Sequence, residues 1–313
     1  MLGYLLKRIL ATVPVVLTVA VLVFGLLRLS PGDPALILVG DSATESQLQQ
    51  LRQHMGLDRS ITAQFGIWAG QVLRGDLGVS LHSGTPVTSM IGNRIGPSLA
   101  LALCTIVFST LVAVPLGAYA AWRRGSRIDR AIMALSVIGF SVPIFVTGYA
   151  LILLFAMQLD WLPVQGYKPL SAGLLAFAQH LALPTLALST GFIALIARIT
   201  RSSILETMNE DYIRTARAKG ITEGTVLVSH ALRNAAVPII TIIGISIALL
   251  ISGVVVTESV FNLPGLGRLV VESVLARDYP LIQGLILLFS LLYIGINLAI
   301  DVLYSVFDPR IRY

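Results

Sequence analysis

Few residues in this chain have the type and spacing that covalent chemistry needs. A phosphate-binding loop requires Gly-x-x-x-x-Gly-Lys-Ser/Thr, so that backbone amides and a lysine converge on phosphate oxygens. The lysines are Lys7, Lys168 and Lys219, and none follows a glycine. Gly265-Leu266-Gly267 lacks the third glycine, the preceding strand and the acidic residue of a dinucleotide fingerprint, and reads instead as a loop turn beside Pro264. His54, His82, His180 and His230 are scattered over separate segments without an i, i+4 partner or a nearby cysteine, so they offer no metal-ligand spacing. No Gly-x-Ser-x-Gly elbow is present, and Cys104 stands alone inside an apolar run, reading as a small buried hydrophobe. Two acids remain as polar residues of structural or pathway interest: Glu258, just past an apolar stretch, and Asp301, inside one. An ionisable group within a bilayer is expensive and commonly functional. Pairing of Asp301 with Arg310 or Arg312 is the simpler reading for that residue.

The other concentration of chemistry is a charged run between two apolar stretches: Asp211, Tyr212, Ile213, Arg214, Thr215, Ala216, Arg217, Ala218, Lys219 and Gly220. As a helix it places Ile213 and Ala216 at i, i+3 and Tyr212 and Ala216 at i, i+4, giving a modest apolar face. Ala216, Ala218 and Gly220 add little bulk, so the segment suits a cleft whose acidic rim meets Arg214, Arg217 and Lys219. Spacing alone fits a solvated amphipathic loop equally well.

The elements around these residues are dictated by composition. Hydrophobic residues make up 56% of the 313, charged ones 12%, and mean hydropathy is +0.85. A soluble domain carries about a quarter charged residues; this is an integral membrane protein. A bilayer core about 30 Å thick takes roughly twenty apolar residues as a helix. Six stretches qualify: Ile9 to Leu29, Ser98 to Trp122, Ala131 to Met157, Leu181 to Ala197, Val237 to Val256 and Leu281 to Val306. The first has no small-x-small cleavage site after it and reads as an uncleaved anchor. Pro115, Pro143 and Pro184 loosen spans locally, and Ala113/Gly117, Gly244/Ala248 and Ala248/Ser252 are spaced for close helix approach.

The net charge of +6 has a topological explanation that makes nucleic acid an unneeded partner. With six spans the termini share a side, and that side collects Lys7, Arg8, Arg123, Arg124, Arg127, Arg130, Arg198, Arg201, Arg214, Arg217, Lys219, Arg233, Arg310 and Arg312. On the other side Arg52, Arg59, Arg74 and Arg94 are offset by Asp33, Asp41, Glu45, Asp58 and Asp76. Both termini are therefore expected in the cytoplasm. The long polar stretch Ser30 to Pro97 then faces outward. Pro31-Gly32-Asp33-Pro34 ends the first helix, Ser46 to Met55 and Ala63 to Leu73 have helical composition, and a small α-rich external cap follows. No short-period repeat is visible, which excludes solenoids.

Several separated stretches, in order, carry a family resemblance: Tyr4-Leu5-Leu6-Lys7-Arg8, Pro31-Gly32-Asp33-Pro34, Gly56-Leu57-Asp58-Arg59, Leu73-Arg74-Gly75-Asp76-Leu77-Gly78, Asp211 to Gly220, His230-Ala231-Leu232-Arg233-Asn234, Pro264-Gly265-Leu266-Gly267-Arg268, Arg277-Asp278-Tyr279-Pro280 and Asp308-Pro309-Arg310-Ile311-Arg312. The chain resembles the dipeptide/oligopeptide/nickel class of ABC importer permeases, in the subunit type with an N-terminal external region. The resemblance implies an all-α membrane protein of six transmembrane helices with the type I ABC importer permease fold. Residues 1-97 would hold the first helix and external region, and 98-313 the permease core with a cytoplasmic coupling segment at about 205-234. It further implies a homologous second permease subunit, two ATPase subunits, an external substrate-binding protein, and a bacterial-type inner (cytoplasmic) membrane. ATP and Mg would sit on the ATPases; this chain would bind no cofactor and no metal, and would be no enzyme.

Asp211 to Gly220 would be the ATPase-coupling segment. The general permease pattern there is Glu-Ala-Ala, three residues, Gly and a later Pro. Arg214-Thr215-Ala216 takes the triplet and Gly220 the glycine, so the acidic position is basic; Arg233 stands where the proline would come, and the nearest proline is Pro238. Di- and oligopeptides, glutathione, nickel or other metal chelates and opines are the substrates such machinery takes. An ion-coupled secondary transporter is disfavoured by the lack of a chain of membrane acids, and a membrane enzyme by the lack of a catalytic constellation.

Overall fold

The computed structural model describes residues 2–29, 44–46, 48–49 and 58–307. Among these the chain is nearly all helix, with one isolated β-bridge between Val79 and Pro86. In order the described α-helices of eight residues or more are α1 (Leu2–Leu29), α2 (Ile61–Leu73), α3 (Val87–Trp122), α4 (Arg127–Ser141), α5 (Ile144–Leu151), α6 (Leu174–Thr207), α7 (Asp211–Ala218), α8 (Ala236–Val260), α9 (Leu266–Leu275) and α10 (Tyr279–Phe307). One wide π turn, Ile152–Gln158, prolongs α5, and a second, Val226–Leu232, leads towards α8.

Among the described residues four helices are long and apolar enough to cross a membrane, α3, α6, α8 and α10 over Tyr279–Ile300, or five if the bent pair α4–α5 is one span. The first expected span corresponds to α1, whose described apolar stretch is the shorter Leu10–Gly25. The third differs from expectation. Instead of one helix over Ala131 to Met157, α4 and α5 with its π turn meet at a bend of 102°. Proline supplies the reason. Pro143 has no N–H to continue the ladder and disfavours helical backbone in the residue before it; Val142 (φ −79°, ψ 125°) and Pro143 (φ −59°, ψ 141°) are both extended.

The chain divides into two compact units. One comprises Gly96–Arg268 and the chain from Ile296; the other comprises Leu2–Ile95 and Leu269–Gly295. Leu269–Gly295 thus groups with Leu2–Ile95.

In the first unit, Leu101 and Ala113 of α3, Leu183, Leu188 and Ile196 of α6, Leu250 and Val254 of α8, and Phe261 and Leu263 form one buried apolar cluster. Small residues let these helices approach. A Cβ on Gly117 would come within 2.5 Å of the Ala197 carbonyl oxygen, and one on Gly244 within 2.7 Å of Ile300.

In the second unit, α2 forms as expected, opened by Ser60, whose Oγ accepts from Ala63 N–H at 3.4 Å. Its Phe65 and Trp68 pack on Phe24 of α1 with ring centroids 5.3 and 5.6 Å apart. Asp278, buried ahead of α10, accepts from Ser80 Oγ–H and from Leu81 N–H at 3.1 Å. Pro31-Gly32-Asp33-Pro34 and most of Ser46 to Met55 lie outside the described residues.

Candidate coupling site and two buried carboxylates

The charged segment between α6 and α8 is a helix, α7, and its sequence explains both ends. Asp211 in the first turn and Arg217 in the last match the helix dipole. Gly220 N–H donates to Arg217 O at 2.9 Å and Ile221 N–H to Ala216 O at 3.3 Å, the paired bonds of a Schellman stop. That stop places Gly220 at φ +79°, where a side chain is strained although the space beside it is open. Gly220 thus has a backbone reason to be glycine.

Ile213 and Ala216 are buried, packed on Val226 with Met208 and Ile221 around them. The modest apolar face legible in the sequence is the one that seats the helix on its own chain. Two further contacts fix it. Arg217 forks onto Glu223, Nε to Oε1 at 2.7 Å and Nη2 to Oε2 at 3.2 Å, and Asn234 Nδ2–H donates to Tyr212 Oη at 2.8 Å. The Arg217–Glu223 pair is solvent-screened and contributes at most about 1 kcal/mol; the buried Ile213 side chain, at about 1.5 to 3 kcal/mol, holds the helix more firmly.

The outward side carries Asp211, Arg214, Thr215, Ala218 and Lys219, all exposed. Arg214 pairs with Asp211 at 3.2 Å with side chains 74% and 94% exposed.

Glu258 lies inside the last turn of α8 and is fully buried. Its carboxylate accepts from Ser98 Oγ–H and from Arg268 N–H at 3.0 Å, and Ser98 Oγ in turn accepts from Leu266 N–H at 2.7 Å. A buried carboxylate is tolerable only with such donors around it. The motif Pro264-Gly265-Leu266-Gly267-Arg268 wraps this group. A Cβ on Gly265 would overlap the Glu258 carboxylate, and one on Gly267 would come within 2.5 Å of Val255 Cα. The glycines are there for close approach to an acid. The motif also starts a helix: Leu266 opens α9, where sequence alone suggests a loop.

Another buried carboxylate, Asp129, escaped the reading of the sequence. Asp129, in the first turn of α4, receives both arms of Arg201 from α6, Nε to Oδ1 at 2.6 Å and Nη2 to Oδ2 at 2.8 Å. Its only sequence signal is an acid within the basic run Arg123 to Arg130. Asp301 lies within α10; its side chain, and Arg310 and Arg312, lie outside the described residues.

With this geometry in place, comparison with known proteins is informative. Residues 113–313 match the family described as "Binding-protein-dependent transport system inner membrane component", and residues 1–102 match its N-terminal companion family. A probable peptide ABC transporter permease of Sinorhizobium fredii is 50% identical over 310 residues, covering 99% of each chain. The glutathione transport system permease protein GsiC of Salmonella typhi is 44% identical over 313 residues, covering all of both chains. A putative peptide transport system permease protein of Brucella abortus is 42% identical over the same span. In fold, a chain of the MetNI methionine ABC transporter, solved in inward-facing conformations, superposes with a TM-score of 0.59 at 18% identity, covering 70% of this chain and 96% of that one. The architecture is that of a type I ABC importer permease, and the chain belongs to the family of binding-protein-dependent transport system inner membrane components.

Proposed function

We propose that this permease forms half of a translocation pathway for short peptides, pairs with a homologous second permease, and is driven through α7 by separate ATPase subunits. The observation that carries the coupling role is the division of α7 into two faces. Ile213 and Ala216 anchor the helix between α6 and α8, while Asp211, Arg214, Thr215, Ala218 and Lys219 stand exposed. An element held by its apolar side and bare on its polar side delivers a push from outside into the spans on either side of it.

ATP and Mg belong to the partner subunits and supply the energy. On this chain, α7 receives the displacement, α6 and α8 carry it into the bundle, and the external binding protein delivers substrate to the opposite mouth. The chain itself performs no covalent chemistry. The peptide and glutathione permeases among its relatives support a substrate class of di- and oligopeptides, glutathione included as a peptide.

Two experiments test this reading. Proteoliposomes containing the permease pair, the ATPases and the binding protein should accumulate labelled di- or tripeptide only with ATP; accumulation by the lone chain without ATPases would overturn it. For orientation, with Cys104→Ala as background, Ser83→Cys should react with an impermeant thiol reagent outside intact cells and Ser229→Cys only after permeabilisation. Reversed labelling would place α7 on the wrong side of the membrane.

A further inference from the structure

We infer that the Asp129–Arg201 pair is a pin that transmits displacement of α7 to the bent α4–α5 pair, making both positioning residues for transport. The inference rests on the coupling role proposed for α7. Arg201 sits in the last turns of α6, which ends at Thr207, and only Met208–Glu210 separate that end from α7. On the other side of the pair, Asp129 Oδ2 also accepts from Gly125 N–H at 2.9 Å, and Asp129 N–H donates to Ser126 Oγ at 3.1 Å. The carboxylate is therefore held by the turn that starts α4 while it grips α6. A two-bond guanidinium fork fixes orientation as well as distance, which a single point contact does not.

Topology does not account for this pair. Arg123, Arg124, Arg127 and Arg130 already supply the positive charge that fixes orientation, and all are exposed. Asp129 is only 4% exposed as a side chain and Arg201 25%, so the pair is sheltered where the neighbouring charges are not.

One end of the pin meets a helix seated on its own chain, and the other leads to a bend. At α7, Ile213 and Ala216 are packed on Val226 and Arg217 is forked onto Glu223. Beyond α4 lies the 102° bend at Val142 and Pro143, where Val142 N–H still donates to Ile138 O at 3.0 Å but Pro143 has no N–H to carry the helical ladder onward. Past the bend, Gly148 of α5 is in close contact with Val260 and Phe261 at the far end of α8: a Cβ there would meet them at 3.2 and 3.3 Å. A shift of α6 is thus delivered, through Asp129, to a hinge.

The test uses the full importer with its ATPases and binding protein, and reads substrate moved per ATP hydrolysed. Asp129→Leu with Arg201→Met removes both charges together and keeps apolar volume, a replacement that buried ion pairs commonly tolerate without loss of stability. Arg201→Lys keeps the charge and loses the fork. In both, the ATPases should copurify and ATP hydrolysis should persist. The ratio of substrate to ATP should fall about tenfold in the double variant, the size of a typical coupling between sites, with an intermediate loss in Arg201→Lys. A parent ratio in both overturns the pin, and if the double variant fails to accumulate, a parent ratio in Arg201→Lys alone does so. Ala218→Trp on the exposed face of α7 separates the two ideas: ATPases that stay bound and fully coupled to that variant would sink the coupling role of α7 itself, whatever the pin variants show.

Discussion

Helix α7 and the knot around Glu258 both bring acidic and small residues together, yet they use them in opposite ways. In α7 the charges face water and the small residue Ala216 faces in. Around Glu258 the charge is buried and Gly265 and Gly267 close over it. The difference teaches that a glycine or alanine beside a charge has no fixed meaning. In α7 small size serves seating and helix termination; at the knot it serves access to a carboxylate. The first arrangement leaves a surface for a partner, and the second leaves none.

Replacing the acid of the knot should have the largest effect on stability. Glu258→Leu keeps a similar apolar volume but strands the Ser98 hydroxyl and Arg268 N–H, each unmade buried bond being worth about 1 to 3 kcal/mol. A loss of about 3 kcal/mol is expected, read as a lower melting temperature of the purified chain in detergent. A melting temperature equal to the parent's would show that the knot is wet or adjustable, and would erase the contrast with α7.

Ala216→Glu comes next. It drives a carboxylate into the Ile213 and Val226 contact, and burying such a group without a partner costs about 2 kcal/mol or more. Hydrogen exchange over 211–220 should accelerate, and ATPase association should fall with it. Unchanged exchange would mean that Ala216 points outward after all.

Gly220→Ala is smaller in effect. A side chain in the left-handed region costs about 1 to 2 kcal/mol, so the end of α7 should fray in hydrogen exchange while the bundle melts near the parent value. Should Gly220→Ala leave exchange unaltered, the Schellman stop is not what fixes this end.

How much of each region was legible follows from where its residues lie along the chain. The segment Asp211 to Gly220 is local: charge, spacing and the terminal glycine all fall within ten residues, and a helix between two apolar stretches follows. Its orientation was not legible, because the residues that claim Ile213 and Ala216 are Met208, Ile221 and Val226, beyond the segment itself. The four long apolar spans could be read from hydropathy alone. The bend at Pro143 could be read only as a loosening, since proline removes one bond while the surrounding packing sets the angle.

The knot and the pin are non-local. Ser98 and Glu258 come from α3 and α8, and Asp129 and Arg201 from α4 and α6. In sequence Glu258 is an acid at a span end and Arg201 one of many arginines on the side expected to be cytoplasmic. Only the packing of the helices reveals that each has a dedicated partner.

Substitution on the bare face of α7 should disturb stability least and function most, and it is the most direct test of the central claim. Ala218→Trp changes an exposed position, where stability effects usually stay within about 0.5 kcal/mol. Copurification of the ATPases with the Ala218→Trp permease, and peptide uptake by the assembled importer, should both collapse while the isolated chain melts like the parent. Full ATPase association together with full uptake would contradict the account, leaving α7 as a helical connection between two spans.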